Sequence, residues 1–228
     1  DDEMLAVITV REFFIELRYW ATTYNGDRTE YFSFADGRWR RRGFDLPWMR
    51  HWPVKWPGHI LAVDAAYGDT HVAAACVGFA DWKADTASCA FAQRTETRPE
   101  EYESGALYKR ELPLLMRLLD QSPVPVSTVV VDGYVWLSGE GKPGLGARLH
   151  EALARDVAVI GVAKNRLNGD EWSRAVLRGA SKAPLFVTAI GMPLDDAARH
   201  IANMSGAHRL PAFLKRADAL ARAALSGL

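Results

Sequence analysis

At 228 residues the chain has room for one α/β domain and a small appendage, and with 49% hydrophobic residues it can bury a substantial core. Its 28 Lys and Arg balance 28 Asp and Glu, so no global charge draws it to nucleic acid, and any such attraction must come from local patches. The apolar runs fall far short of the roughly 18–20 residues of a membrane span and no charged-then-apolar leader opens the chain, so no membrane partner is expected. Cys76 and Cys89 lie in apolar β-like runs without metal-ligand spacing; they read as buried reduced thiols, which fits a cytoplasmic protein.

Residues 7–19 alternate, with Phe13, Ile15, Leu17 and Tyr19 on one side and Glu12, Glu16 and Arg18 on the other, the pattern of a half-buried strand. Asn25-Gly26 and Asp36-Gly37 then separate two further strand-like runs, so residues 1–46 read as a three-stranded β-meander. Residues 47–58 hold Pro47, Pro53 and Pro57 among Trp48, Trp52 and Trp56 and read as a linker. The third segment, 59–228, runs strand (59–66), strand (70–79), strand (86–93), helix (104–119), strand (127–131), helix (145–155), strand (157–162). Short links make the first three strands antiparallel and helical crossovers make the later ones parallel. That is a ribonuclease H-like α/β sheet, completed by a hairpin-like pair (172–178, 184–190) and amphipathic helices over 193–204 and 211–225.

Three acids stand where acids are costly. Asp64 interrupts the run Ile60-Leu61-Ala62-Val63-Asp64-Ala65-Ala66, expected at the sheet's centre, where a carboxylate needs a cation or hydrogen bonds to compensate it. Glu111 is related by steps of three or four to Leu107, Leu114, Leu115 and Leu118, which points it at the sheet. Asp132 ends Val129-Val130-Val131 and precedes Gly133, at the carboxyl edge of a parallel strand, where open α/β sheets build their sites. Clustered carboxylates without matching His or Cys suit magnesium or manganese rather than zinc, and such an ion polarises a phosphodiester and activates water.

With these residues in view, about 170 residues from Pro57 onward resemble the endonuclease V family. Val63-Asp64-Ala65-Ala66-Tyr67 is similar to its first-strand Val-Asp-x-x-Tyr. Tyr102-Glu103-Ser104-Gly105 and Arg110-Glu111-Leu112-Pro113 are similar to its Tyr-x-x-Gly and Arg-Glu-x-Pro. Val131-Asp132-Gly133, Ile160-Gly161-Val162-Ala163-Lys164, Pro184-Leu185-Phe186-Val187-Thr188 and His208-Arg209-Leu210-Pro211 with Lys215-Arg216-Ala217-Asp218 continue the series in order.

The resemblance implies a magnesium-dependent endonuclease, with manganese as the alternative ion, that nicks a strand on the 3′ side of inosine in DNA repair and leaves a 3′-hydroxyl. It makes Asp64, Glu111 and Asp132 the catalytic and metal-binding acids and Lys164 a cation close to the scissile phosphate. Lys164 also follows the strand 157–162 and should emerge on Asp132's edge. Tyr102 becomes a wedge entering the base stack, and Gly105, Gly133 and Arg209 join it in binding the strand. The expected partner is nucleic acid, DNA ahead of RNA, and the protein is expected to act as a monomer.

The pattern is broken in three places: Tyr134-Val135-Trp136-Leu137-Ser138 replaces the family's His-Pro-Arg, Thr188-Ala189-Ile190-Gly191-Met192 lacks its histidine, and the meander replaces its N-terminal helix. These losses surround the phosphate and lesion rather than the acids. An inosine-directed ribonuclease, a non-cleaving binding module of the same fold and a Holliday-junction resolvase therefore remain as alternatives. Arg38 to Arg42 and the tryptophans that follow read either as an extension of the nucleic-acid track or as an edge strand with its packing.

Overall fold

The fold is that of a computed structural model describing residues 58–96, 107–153, 157–167 and 172–227, with the backbone of four strands between residues 6 and 42. The chain divides into two compact units, one of residues 57–119 and 126–228, the other of 1–56 with 120–125.

The smaller unit holds β1 (Ala6–Arg11), β2 (Phe14–Trp20), β3 (Asp27–Ala35) and β4 (Arg38–Arg42), paired antiparallel in that order with β4 at an edge. The alternation over 7–19 is not one strand: Arg11 pairs with Phe14 and Ile8 with Leu17. The meander thus has four strands rather than three. Alternation runs on through the fold-back with no Gly, Asn or Asp-Gly to mark it, so periodicity alone merges the two strands. Residues 47–57 of the Trp- and Pro-rich stretch lie outside the described residues.

In the larger unit β5 (His59–Tyr67), β6 (His71–Phe79), β7 (Cys89–Glu96), β8 (Val126–Asp132), β9 (Ala158–Ala163), β10 (Arg174–Val176) and β11 (Leu185–Ile190) form one sheet, ordered β10-β11-β9-β8-β5-β6-β7. β5, β8 and β9 are parallel neighbours and every other pairing is antiparallel. Helices α1 (Leu107–Asp120) and α2 (Leu145–Ala152) precede and follow β8, and α3 (Leu194–Asn203) and α4 (Ala212–Ser226) close the unit. This is the mixed ribonuclease H-like succession expected from the sequence. β7 begins three residues later than its apolar pattern suggests. Asp81 turns the preceding chain, its Oδ1 accepting from the Lys83 N–H at 2.7 Å.

The interior strands are apolar on both faces, as a sheet covered on both sides requires. On one face Ile60, Ala62, Val77, Phe79, Val130, Ile160 and Val162 pack with Ile201 of α3 and with Phe213, Leu214 and Ala217 of α4. Leu61, Val63, Val129 and Val131 have the opposite parity and are also buried, and α2 packs against β9 and β11. Cys76 and Cys89 are free thiols, and no described helix is long and apolar enough to cross a membrane.

Candidate active site

Pleat parity builds the site. In β5, Ile60 and Ala62 face the α3/α4 layer, and Asp64 continues that face two residues on. Val130 does the same in β8, and Asp132 continues it. Val63 is in register with Val131 across the parallel seam, so the two acids stand level on neighbouring strands where the apolar rows end. Asp132 in turn pairs with Val162 of β9, and Lys164 leaves that strand two residues later. Its Nζ donates to Asp132 Oδ2 at 2.6 Å, in an ion pair still open to solvent. Lys164 is where strand logic puts it.

Glu111 arrives from α1. The Arg110 guanidinium beside it lies 4.1 Å from the ring centroid of Tyr67, a β5 residue of the other parity, so α1 approaches from the opposite layer. The Tyr67 hydroxyl is buried without a partner in hydrogen-bond geometry, yet close enough to Glu111 to favour its ionised form.

Burial, and after it the crowding of negative charge, pushes the carboxyls up. Burial raises Asp64 to about 6, with Asp132 and Asp218 adding to the shift while the Ala65 N–H on Oδ1 at 2.8 Å opposes it. Glu111 is raised further, to about 8, by burial first and then by Asp64 and Asp132. Burial works against the charge of Lys164, but Asp132, Asp64 and Asp218 together outweigh it and its pKa is raised.

Asp64, Glu111 and Asp132 are therefore brought into one electrostatic cluster. Among the described residues, though, no three acidic, His or Cys side chains close on a common point as a finished metal cage would. Two acids on one face of the sheet and one from the opposite layer account for that openness. The donor set itself, all carboxylate oxygens, is one that hard cations take.

A fourth acid belongs to the site and was not singled out by sequence pattern. Asp218 of α4 raises the pKa of Asp64 and of Lys164, and its Oδ1 accepts from Arg222 Nε at 2.8 Å. It lies one turn beyond the buried Leu214 and one turn before the buried Ala221, so the spacing that turns Glu111 inward turns Asp218 inward too. Lys215, Arg216 and Arg222 of the same helix are exposed.

Gly133 has φ +143°, in a region that side-chain-bearing residues avoid, and its N–H donates to Val162 O at 3.0 Å. The residues that replace His-Pro-Arg after it are anchored. The hydroxyl of the buried Tyr134 donates to Asn165 O at 2.8 Å, Val135 N–H to Thr188 Oγ1 at 2.9 Å, and Trp172 Nε1 to Trp136 O at 3.2 Å. Arg209 Nη2 donates to Pro184 O at 2.6 Å and to Lys164 O, which ties it to backbone beside the site. Tyr102 and Gly105 lie outside the described residues.

Level acids on a parallel seam, an ammonium beside them and a third acid opposite make an edge able to gather a cation and a phosphate. Comparison with known proteins gives the family to which such an edge belongs. The endonuclease V family model matches residues 50–191. Endonuclease V of Streptomyces avermitilis is 30% identical over 197 residues, covering 76% of this chain and 83% of that protein, and endonuclease V of Streptomyces coelicolor is 30% identical over 194 residues, covering 76% and 82%. The crystal structure of the Streptomyces avermitilis protein superposes with a TM-score of 0.63 at 28% identity, over 75% of this chain and 82% of that one. Ciona intestinalis endonuclease V, crystallised with a 23mer DNA containing an inosine followed by a ribo-adenosine, gives 0.62 at 17% identity, over 76% and 88%. With the family model spanning more than half of its length and curated relatives 30% identical across three quarters of it, this chain belongs to the endonuclease V family.

Proposed function

We propose that this chain is a magnesium-dependent endonuclease that nicks a nucleic-acid strand near inosine, with DNA as substrate and repair as its purpose. The observation that carries the reading is the level placement of Asp64 and Asp132 on adjacent parallel strands, with Lys164 beside Asp132 and Glu111 coupled to both acids. Family membership supports nuclease chemistry, and the Ciona protein's inosine-containing DNA supports the substrate class.

Asp64, Asp132 and Glu111 would hold the cation, which when bound supplies Lewis-acid polarisation of the scissile phosphate. Its surroundings raise Glu111 to about 8 in the cation-free protein; a bound cation would favour the ionised form, the form that can take a proton from attacking water. As the water oxygen bonds to phosphorus, the P–O3′ bond breaks and the departing oxygen takes up a proton as the 3′-hydroxyl. Lys164 counters the charge gathering on the phosphate. Asp218 faces Asp64 and Lys164 from α4 and holds the balance between them. Tyr102 fills the space left by an extruded base, with Gly105 and Gly133 allowing close approach of the strand.

The test is nicking of matched inosine DNA, inosine RNA and undamaged strands with magnesium and with a chelator. The reading requires magnesium-dependent cuts beside inosine in DNA; equal cutting of undamaged DNA sinks the specificity, and no cutting of any strand sinks the activity. Asp218→Asn should lower cleavage by about 10- to 100-fold, because it alters the field on both Asp64 and Lys164 without removing either. Parent-like turnover in that variant would remove Asp218 from the site.

A further inference from the structure

Arg178, two residues beyond β10, is only 5% exposed, and burial lowers its pKa. Its guanidinium is spent on backbone. Nη1 donates to His208 O at 3.0 Å and Arg209 O at 3.4 Å, and Nε to Ala202 O at 3.4 Å. Nη2 donates to Met204 O, to Ser205 O at 3.4 Å and to Gly206 O at 3.2 Å. A guanidinium placed only to cap α3 would stop at the last-turn carbonyls near Ala202 and Met204. This one also gathers those of the segment beyond the helix.

A second contact points the same way. Gly179 has φ +56°, and a Cβ on it would sit 2.0 Å from Ala207 O, so the turn after Arg178 presses directly on the same segment. That segment ends on two parts of the site. Ala212 N–H at the start of α4, the helix of Asp218, donates to Ser205 O at 2.9 Å. Arg209 carries the segment to the carbonyls of Pro184 and Lys164. Lys164 then reaches Asp132.

We propose that Arg178 is a positioning residue for strand cleavage: it fixes the 204–209 segment and, through Arg209, the backbone of Lys164, so that the ammonium stays on Asp132. This rests on the reading of Lys164 as the cation at the phosphate.

Arg178→Lys keeps the charge but replaces a planar five-donor fork with a single nitrogen. In the full chain, amide hydrogen exchange without substrate should quicken across residues 204–210 and at 164–167, while β5 and β6 stay protected. Turnover of inosine DNA with magnesium should fall about 10- to 100-fold, with KM unchanged within about threefold. Arg178→Lys combined with Arg209→Lys should be no slower than the slower single variant, since both act along one chain of contacts. Faster exchange confined to 202–206, parent-like turnover in Arg178→Lys, or multiplying effects in the double variant would each overturn the proposal. If Arg178→Lys does not fold, Arg209→Lys leaves the Arg178 clasp whole and removes the fork that reaches Lys164 O and Pro184 O; unchanged turnover and unchanged protection at 164–167 there also overturn it. A parent protein that fails to nick inosine DNA defeats the nuclease reading alone, and the exchange comparison still decides whether Arg178 governs Lys164.

Discussion

Asp64→Asn and Glu111→Gln should each abolish cleavage and, in cation-free protein at pH 8, raise the melting temperature. Both carboxyls are held above their ordinary range by burial and by neighbouring negative charge, Asp64 at about 6 and Glu111 at about 8. Ionising them therefore opposes folding, and a neutral isostere removes that opposition. Relief of about 1–3 kcal/mol is the scale expected, worth a few degrees in melting temperature for a chain of this size. Cleavage should drop on the order of 10³-fold or more, since the lost charge is one that cation binding and water activation require. At pH 5 the parent carries both groups largely protonated, so the stability gain should shrink. Asp132→Asn provides the contrast: it loses the ion pair with Lys164 and should lose activity without becoming more stable. Nicking by any of these three within about tenfold of the parent rate, or a lower melting temperature for both Asp64→Asn and Glu111→Gln at pH 8, would show that the charges do not serve this site.

Magnesium should stabilise the folded protein more at pH 8 than at pH 6. Because the folded-state pKa values of Asp64 and Glu111 lie above their unfolded values near 4, the folded chain binds more protons than the unfolded one between those limits. The stability from this source is complete below about pH 4 and is lost as pH rises through about 6 and then about 8, to a total on the order of a few kcal/mol. A divalent cation favours the ionised carboxylates, so binding displaces protons and restores what alkaline pH removes. Melting temperature followed from pH 5 to 9, with and without magnesium, should show two curves that diverge as pH rises. Parallel curves, or calorimetry in buffers of different ionisation heat showing no proton release, would mean that the cation does not bind these acids.

Acids set inside apolar patterns are legible in the order of residues alone. Asp64 and Asp132 break runs of Val, Ile, Leu and Ala, and following strand 157–162 two residues outward finds Lys164. Asp218 obeys the same geometric rule as Glu111, but its helix is rich in Lys and Arg, and attention to cations hides one acid among them. The hairpin between β1 and β2 is illegible because its turn lacks the residues that usually mark one. Arg178 escapes for another reason: its acceptors are carbonyls, which every residue has, 24 to 31 positions along the chain. No side-chain pattern records such a partnership.

Asp64 and Asp132 hang on the pleat of a sheet buried on both faces, whereas the stretch from Gly133 to Gly144 loops out and back, with Trp136 bridged to Pro143. The acids and the loop thus have separate mechanical supports. A slip of one residue between β5 and β8 would throw Asp64 to the wrong side and expose Ile60 and Ala62 together, so selection for a stable core guards the acids as well. Tyr134 and Val135 at the loop's start are pinned to that core as well, whereas its tip from Gly139 to Lys142 is exposed and under no such guard. That tip can change in sequence and length while the acids keep their register.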